Sequence, residues 1–331
     1  MAILFLRRML EMIPLLLGIS MITFFVIQLS PGKPTDVFQG AMQAKVDPRV
    51  YERLREIYGL NDPLPVQFFN WLKRIVRLDF GLSMSTDRRP VIEKIANALP
   101  VTLFLNLLSL LLTLSLALPL AIYRALNPRS SWTASSSVVL LLGFSTPSFW
   151  LALLLMILFG IHLRWLPLSW AGMPRLGEVP LFDYFIELFR HSLLPVFCMS
   201  FGSLALFTRY LEGSLKDVLG EEYILTARAK GGGTLYVLLR HALPNALLPL
   251  VTLLGLSLPN LVSGSVIIET IFGIPGMGLL FIQGVYIRDY TLIMGILTLG
   301  AILTLVGNLL ADIGYALLDP RVRLSLTGRG S

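Results

Sequence analysis

Charge and cysteine are what this sequence has least of. Only 14% of its 331 residues are Asp, Glu, Lys or Arg, against about a quarter in soluble domains. With 55% hydrophobic residues and a mean hydropathy of +0.75, the chain reads as an integral membrane protein. The single cysteine, Cys198, excludes an internal disulfide and a cysteine-based metal cluster. Its apolar surroundings, LLPVFCMSF, predict a buried, inert thiol.

Catalytic patterns are missing as well. No G-x-x-x-x-G-K-[ST] occurs, so Gly231 to Gly233 are not a phosphate-binding loop of that type. There is no H-E-x-x-H, and His162, His191 and His241 fall on different segments, which argues against a histidine metal site. The absence of a Gly-x-Ser-x-Gly elbow completes the argument against an intramembrane enzyme. The net charge of +7 could suggest nucleic acid. The basic residues, however, are scattered among apolar runs without interleaved aromatics, and membrane orientation explains them better.

What is present is six apolar runs: Met9–Leu29, Leu99–Tyr123, Ser136–Leu163, Ser192–Tyr210, Ala246–Thr270 and Tyr290–Leu317. About 20 apolar helical residues cross a hydrocarbon core of about 30 Å, so each run is a candidate span. The first follows Arg7 and Arg8 but runs into LSPGKP without a cleavage-like site, so it is expected to be retained. Apart from the long segment 30–98, a cytoplasmic N-terminus puts 12 Lys/Arg inside and 4 outside. The positive-inside rule therefore places both termini in the cytoplasm, with 30–98 as an extracytoplasmic insert.

That insert reads as helical. VDPRVYERLREIYGL has apolar Val50, Leu54, Ile57 and Tyr58 at spacings of three and four, and VQFFNWLKRIVRL follows Pro65 as a second helix. Two readings stand for it, a packed cap or a docking surface for another protein. The stretch Arg164–His191, with Trp165, Pro167, Trp170, Pro174 and Pro180, reads as a rigid irregular loop. After the fifth run comes ETIFGIPGMGLL, where Gly273, Pro275, Gly276 and Gly278 forbid a continuing helix. Such backbone at membrane depth must be buried in protein or line a cavity, which makes these four residues a candidate outer gate. Glu269 stands beside that turn, where half solvation would ease its cost. Asn308 and Asp312 share a face of the sixth run and read as a hydrogen-bonded structural pair.

Between the fourth and fifth runs lies EEYILTARAKGGGTLYVLLRHALPN. Glu221 and Glu222 suit a helix N-terminus, and Arg228 and Lys230 a C-terminus. Gly231 supplies a cap, and a second helix from Thr234 to Leu243 is closed by Pro244. The product is a helix-turn-helix whose small residues Ala227, Ala229 and Gly231 allow close approach of another surface. The bland alternative is an amphipathic loop lying on lipid headgroups.

LTARAKG, nine residues and then HALP resembles the "EAA" loop of ABC importer permeases. Ala227, Gly231, Leu243 and Pro244 fall on its register. Glu222 with TARAKG resembles the form used by the dipeptide/oligopeptide/nickel branch. GLNDPLPVQFFNWL, TPSFWLALLLMILFGIHLRWLPLSW, SGSVIIETIFGIPGMG and ALLDPRVRL extend the likeness over most of the chain. The sequence departs at Leu225, Thr226 and His241, of which the first two are usual in the branch. It departs also at Lys33 in SPGKP, and in three consecutive glycines, expected to loosen the turn.

The resemblance implies an all-α polytopic protein of six transmembrane helices with the type I importer permease fold. Its parts are a tail and first helix (1–29), an extracytoplasmic helical insert (30–98) and a permease core (99–331) with the coupling loop at 216–245. It further implies a pore-forming subunit that moves dipeptides or oligopeptides inward in a bacterial or archaeal cytoplasmic membrane. Nickel chelates and oligosaccharides are alternative solutes, and an ATP-independent secondary transporter or channel is the alternative mechanism. The implied partners are a second homologous permease, two cytoplasmic ABC ATPase subunits, an extracytoplasmic solute-binding protein and membrane lipid, with no nucleic acid. No cofactor or metal is expected on this chain, since ATP and Mg belong to the ATPase subunits. ATPase coupling falls to Glu221, Glu222, Thr226, Ala227, Arg228, Ala229, Gly231, Leu243 and Pro244.

Overall fold

The computed structural model describes residues 2–29 and 61–318. Among these, regular structure is helical, and extended pairing is limited to two isolated bridges. The expected insert helix at 47–60 and Lys33 lie outside the described residues. Among the described residues four helices are each long and apolar enough to cross a membrane, and three bent pairs could bring the total to seven.

The first run forms α1 (Ala2–Leu29). Phe24 and Ile27 at its end are buried against Tyr290, Ile293 and Met294 of the last helix. Over this junction lies α2 (Leu64–Val76), which admits Pro65 because a first-turn residue has no intrahelical amide bond to lose. Phe68 meets Phe24 edge to face with ring centroids 5.4 Å apart, a favoured aromatic geometry.

Next comes α3 (Val91–Leu126), with small buried residues Ala98, Thr102, Ser109, Thr113, Ala117 and Ala121 along one stripe. Small side chains let helix backbones approach closely where lipid supplies no hydrophobic drive. Its main partner is α6 (Leu181–Leu219). This helix begins well inside the stretch read as an irregular loop, because Pro180 is a good N-terminal residue and no breaker follows until Pro195.

The third run is not one straight crossing. It forms α4 (Ser131–Ser145) and α5 (Ser148–Leu155), the latter continuing as a wider π-type turn through His162, and the two halves bend by 106°. Pro147 disfavours helical geometry at the residue before it, and Thr146 is extended with φ −82° and ψ 122°.

The fifth run is also divided, into α10 (Leu248–Ser263) and α11 (Val266–Phe272), by Gly264 at φ +70°. Then α12 (Met277–Tyr286) turns back at 71°, and α13 (Tyr290–Leu318) follows. Asn308 is exposed on α13, and the side chain of Asp312 lies outside those described.

Polar contacts tie the segment after α2 to the start of α13. Asp289 caps α13 by accepting the Leu292 amide at 3.0 Å, and it accepts the Ser83 hydroxyl at 2.5 Å. Lys94 of α3 donates to Ser83 and Ser85 at 2.9 and 2.6 Å and pairs with Asp87 at 2.8 Å. Hydrogen bonds from Lys94 and then Ser85 hold the Asp87 carboxyl down to about 2. The pair therefore contributes at neutral pH, and its contribution is lost only as pH falls through that value.

Asp289→Ala removes a cap and the buried carboxylate that accepts the Ser83 hydroxyl. It is expected to cost about 2–3 kcal/mol, read as a lowered melting temperature in detergent.

Candidate functional site

Three features stand out: a knob beyond the end of α6, a turn held by a buried carboxylate, and a polar cavity between the helices. The knob comprises α7 (Glu222–Ala229), α8 (Thr234–Val237), a π-type turn from Leu238 to Ala242, and α9 (Leu243–Ala246). It is seated by Ile224, Val237, Leu238 and Ala242, which are buried against Leu211 and Leu215 of α6 and Ala121 and Ala125 of α3. Glu221 precedes α7 and Glu222 opens it, both exposed. Thr226, Arg228, Ala229, Gly231 and Pro244 are also exposed, while Ala227 and Leu243 are half-buried and pack against the apolar cluster.

The glycine run forms a tight turn, not a loose one. Gly231 has φ +86°, a left-handed conformation that an L side chain adopts only at a cost. Its amide donates to the Arg228 carbonyl at 2.9 Å, and the Gly232 amide donates to Ala227 at 3.2 Å. These two bonds make a Schellman end to α7. A side chain on Gly232 would place Cβ 2.8 Å from the Ala227 oxygen. Nothing in the structure explains the third glycine, Gly233, which faces open space. Pro244 does not close its helix as expected. It occupies the first turn of α9, where a missing amide costs nothing, and the chain continues helically.

The second feature corrects the reading of Glu269. It is 1% exposed, because its oxygens satisfy donors that water cannot reach. Gly278 and Leu279 donate their amides to Oε2 at 2.7 and 3.1 Å, and Thr102 of α3 donates its hydroxyl to Oε1 at 3.0 Å. The Met277 amide donates to Thr102 Oγ1 at 2.8 Å. Three amides at the start of α12 thus find acceptors outside their own helix, and the negative group sits at the positive helix end. Gly276 must lack a side chain, since a Cβ there would lie 2.5 Å from both Glu269 Oε2 and Thr102 Oγ1. Gly273 ends α11 in the left-handed region at φ +63°. A cleft of about 340 Å³ lies over Pro275 and Gly276, bordered by Asp87, Arg89 and Lys94.

The third feature is a cavity of about 420 Å³ between α3, α4, α6 and α10. Its polar lining includes Asn106, Ser109, Thr113, Ser148, Ser203 and Asn260, and among the described residues no Asp, Glu, Lys or Arg reaches it. Cys198, buried as its neighbours require, contributes to the wall. Thr113 Oγ1 is buried without a hydrogen-bond partner among the described residues.

The family model described as "Binding-protein-dependent transport system inner membrane component" matches residues 117–324. The chain belongs to this family. A companion model for the N-terminal part of such membrane components matches residues 1–106. The oligopeptide transport system permease protein AppB of Bacillus subtilis is 39% identical over 97% of this chain and 99% of its own length. OppB of Haemophilus influenzae, also named an oligopeptide transport system permease protein, is 34% identical over 96% of this chain and 98% of its own.

In this transport-system component the structure brings most of the expected loop residues into one knob, and it places the four expected breakers in the turn that follows Glu269, with Gly276 and Gly278 against its carboxylate. Several participants escaped the sequence reading. Tyr223, Leu225, Leu235, Tyr236 and Leu239 are large side chains each left exposed on the knob, with Leu235 68% exposed. Their signal was an excess of large apolar residues beyond those one buried face can absorb. Thr102 carried no signal, because a lone threonine in an apolar helix usually bonds its own backbone. Arg124, one residue past the end of the second apolar run, is buried 2.8 Å from Glu212. The cost of burying charge was the available clue.

Alanine at Gly231 or Gly232 is expected to weaken the turn by about 1–2 kcal/mol, seen as faster hydrogen exchange of the amides at 230–232, with Gly233→Ala unchanged. Glu269→Ala should lower the stability of the purified component by about 3 kcal/mol and Glu269→Gln by about 1, the amide oxygen still accepting. Thermal unfolding in detergent reads both.

Proposed function

We infer that this chain is the pore-forming permease of an ATP-driven, binding-protein-dependent importer of dipeptides or oligopeptides. The observation that carries the reading is the knob. It is a rigid, capped helix-turn-helix with large apolar side chains left exposed, on a chain whose full-length relatives are named oligopeptide permeases. Exposed apolar side chains of this kind mark a protein or membrane contact, and the chain lacks a P-loop motif of its own, which favours a partner protein here. Glu221, Glu222, Thr226, Ala227, Arg228, Ala229, Gly231, Leu243 and Pro244, with Tyr223, Leu225, Leu235 and Tyr236, form the socket for an ABC ATPase subunit.

In this reading both termini and the knob are cytoplasmic, and the chain crosses a bacterial or archaeal cytoplasmic membrane six times. Residues 1–29 form the tail and first helix, 30–98 the outer insert and 99–331 the core. A second homologous permease completes the pore, two ATPases bind ATP and Mg, and an extracytoplasmic binding protein delivers the solute. Glu269, Gly273, Pro275, Gly276 and Gly278 form the outer gate, whose turn is rigid enough to move as a unit. The uncharged cavity suits peptides of varied side chains, because hydroxyl and amide groups can bond a peptide backbone without selecting a charge. Translocation is non-catalytic: ATP-driven closure of the partner subunits moves the knob and converts the pore from inward-open to outward-open.

In liposomes, the complex with ATPases and binding protein should take up short peptides only with ATP. Uptake by the lone chain without ATP would overturn the reading. Gly231→Trp and Leu235→Asp should each cut binding-protein-stimulated ATP hydrolysis about tenfold or more, while Glu222→Ala, a rim charge, should lose less than about threefold.

A further inference from the structure

The knob, α3 and α6 share an apolar cluster, yet among the described residues that cluster contains none from α4. The start of α4 follows α3 after only four residues, is bonded to its end through Thr133 with Asn127 and Ser130 with Tyr123, and packs on α6, but only one charged side chain ties all three helices together. Arg124, near the end of α3, donates Nε to Glu212 Oε2 of α6 at 2.8 Å. It also donates Nη1 to the Thr133 carbonyl at 2.7 Å and the Ser136 hydroxyl at 2.5 Å, and Nη2 to the Ser137 hydroxyl at 3.0 Å. Both charges are buried, Arg124 at 6% and Glu212 at 7% exposure, and Lys216 donates to the other Glu212 oxygen at 2.6 Å. A planar guanidinium with its donors directed at fixed acceptors holds orientation as well as distance. The far end of α4 supplies Gly143 to the cavity wall, followed by Thr146. At 1.5 Å per residue, Gly143 lies about 15 Å along the helix from Thr133.

We propose that Arg124 and Glu212 form a strut that carries displacement of the knob into α4 and so to the cavity. The inference rests on the importer reading. A partner subunit pressing on the knob moves the ends of α3 and α6, on which the knob is seated. The guanidinium makes α4 follow them, and the cavity end of α4 moves in turn. Without the strut, α3 and α6 still receive the motion, but α4 is held to them only by its short link, two hydroxyl bonds and packing, and follows less closely. Arg124 and Glu212 are thus positioning residues that act on the solute path through α4.

The test measures labelled short-peptide pool taken up per ATP hydrolysed, with the assembled complex and its binding protein in liposomes. It also measures the melting temperature of the complex. The double variant Arg124→Met/Glu212→Met replaces the pair by unbranched apolar side chains, a change that buried ion pairs often tolerate without loss of stability. The expected result is wild-type melting with uptake per ATP reduced about tenfold. A second variant, Ser136→Ala/Ser137→Ala, keeps the ion pair but removes two guanidinium acceptors on α4, and should reduce the ratio about threefold. A wild-type ratio in either variant overturns the strut, and if the methionine pair fails to assemble, the serine pair decides alone. ATP-independent uptake, or none, by the wild-type complex would count against the importer reading. A coupled wild type with equally coupled variants counts against the strut only.

Discussion

Inside hydrocarbon no water completes a broken helix, so each interruption must bring its own hydrogen-bond partners or be buried against protein. The turn between α11 and α12 meets this constraint with one carboxylate and one hydroxyl. Glu269 takes two amides and Thr102 takes a third, and the hydroxyl of Thr102 in turn donates to Glu269. The position of α12, the exclusion of a side chain at Gly276 and the docking of this turn on α3 all follow from that arrangement. A rigid turn at a helix break is a different object from a flexible loop, since it has one geometry to hold or to lose as a whole.

The same principle recurs at both ends of α3. At one end Lys94, Ser83 and Asp289 stitch the segment after α2 to the start of α13. At the other, Arg124 and Glu212 gather α3, α4 and α6. Between these polar clusters α3 presents small residues to α6, and the two backbones run close together. Van der Waals packing thus makes the shaft of the bundle, while buried charge sets which helix ends move together. The knob is joined to this frame by an apolar cluster and leaves other large side chains exposed, so part of it is anchored and part is open to a partner.

Much of this was legible from residue order. The apolar runs lie where the helices are, because the need to bury backbone in helices acts on every residue of a span. The Schellman turn after α7 was legible as a cap, since Gly231 needs no neighbour to explain it. The bend at Thr146-Pro147 was available in the sequence but was outweighed by the length of the apolar run around it. Glu269 was read as half-solvated because its acceptor role depends on Thr102, 167 positions away in the chain, and no local pattern announces such a partner. Arg124 was left just past the second apolar run for the same reason, since Glu212 lies 88 residues further on.

The sequence by itself determined that the chain is a helical membrane protein, where its apolar helices run, and that it carries a capped loop resembling a coupling element. These properties depend on hydropathy, backbone sterics and local caps, all of which act within a few residues. Tertiary structure alone decided which carboxylates are buried, which helix ends are bound together, and which apolar side chains of the knob remain uncovered. Those outcomes depend on partners brought together from distant parts of the chain, where the low dielectric makes each missing or present hydrogen bond decisive.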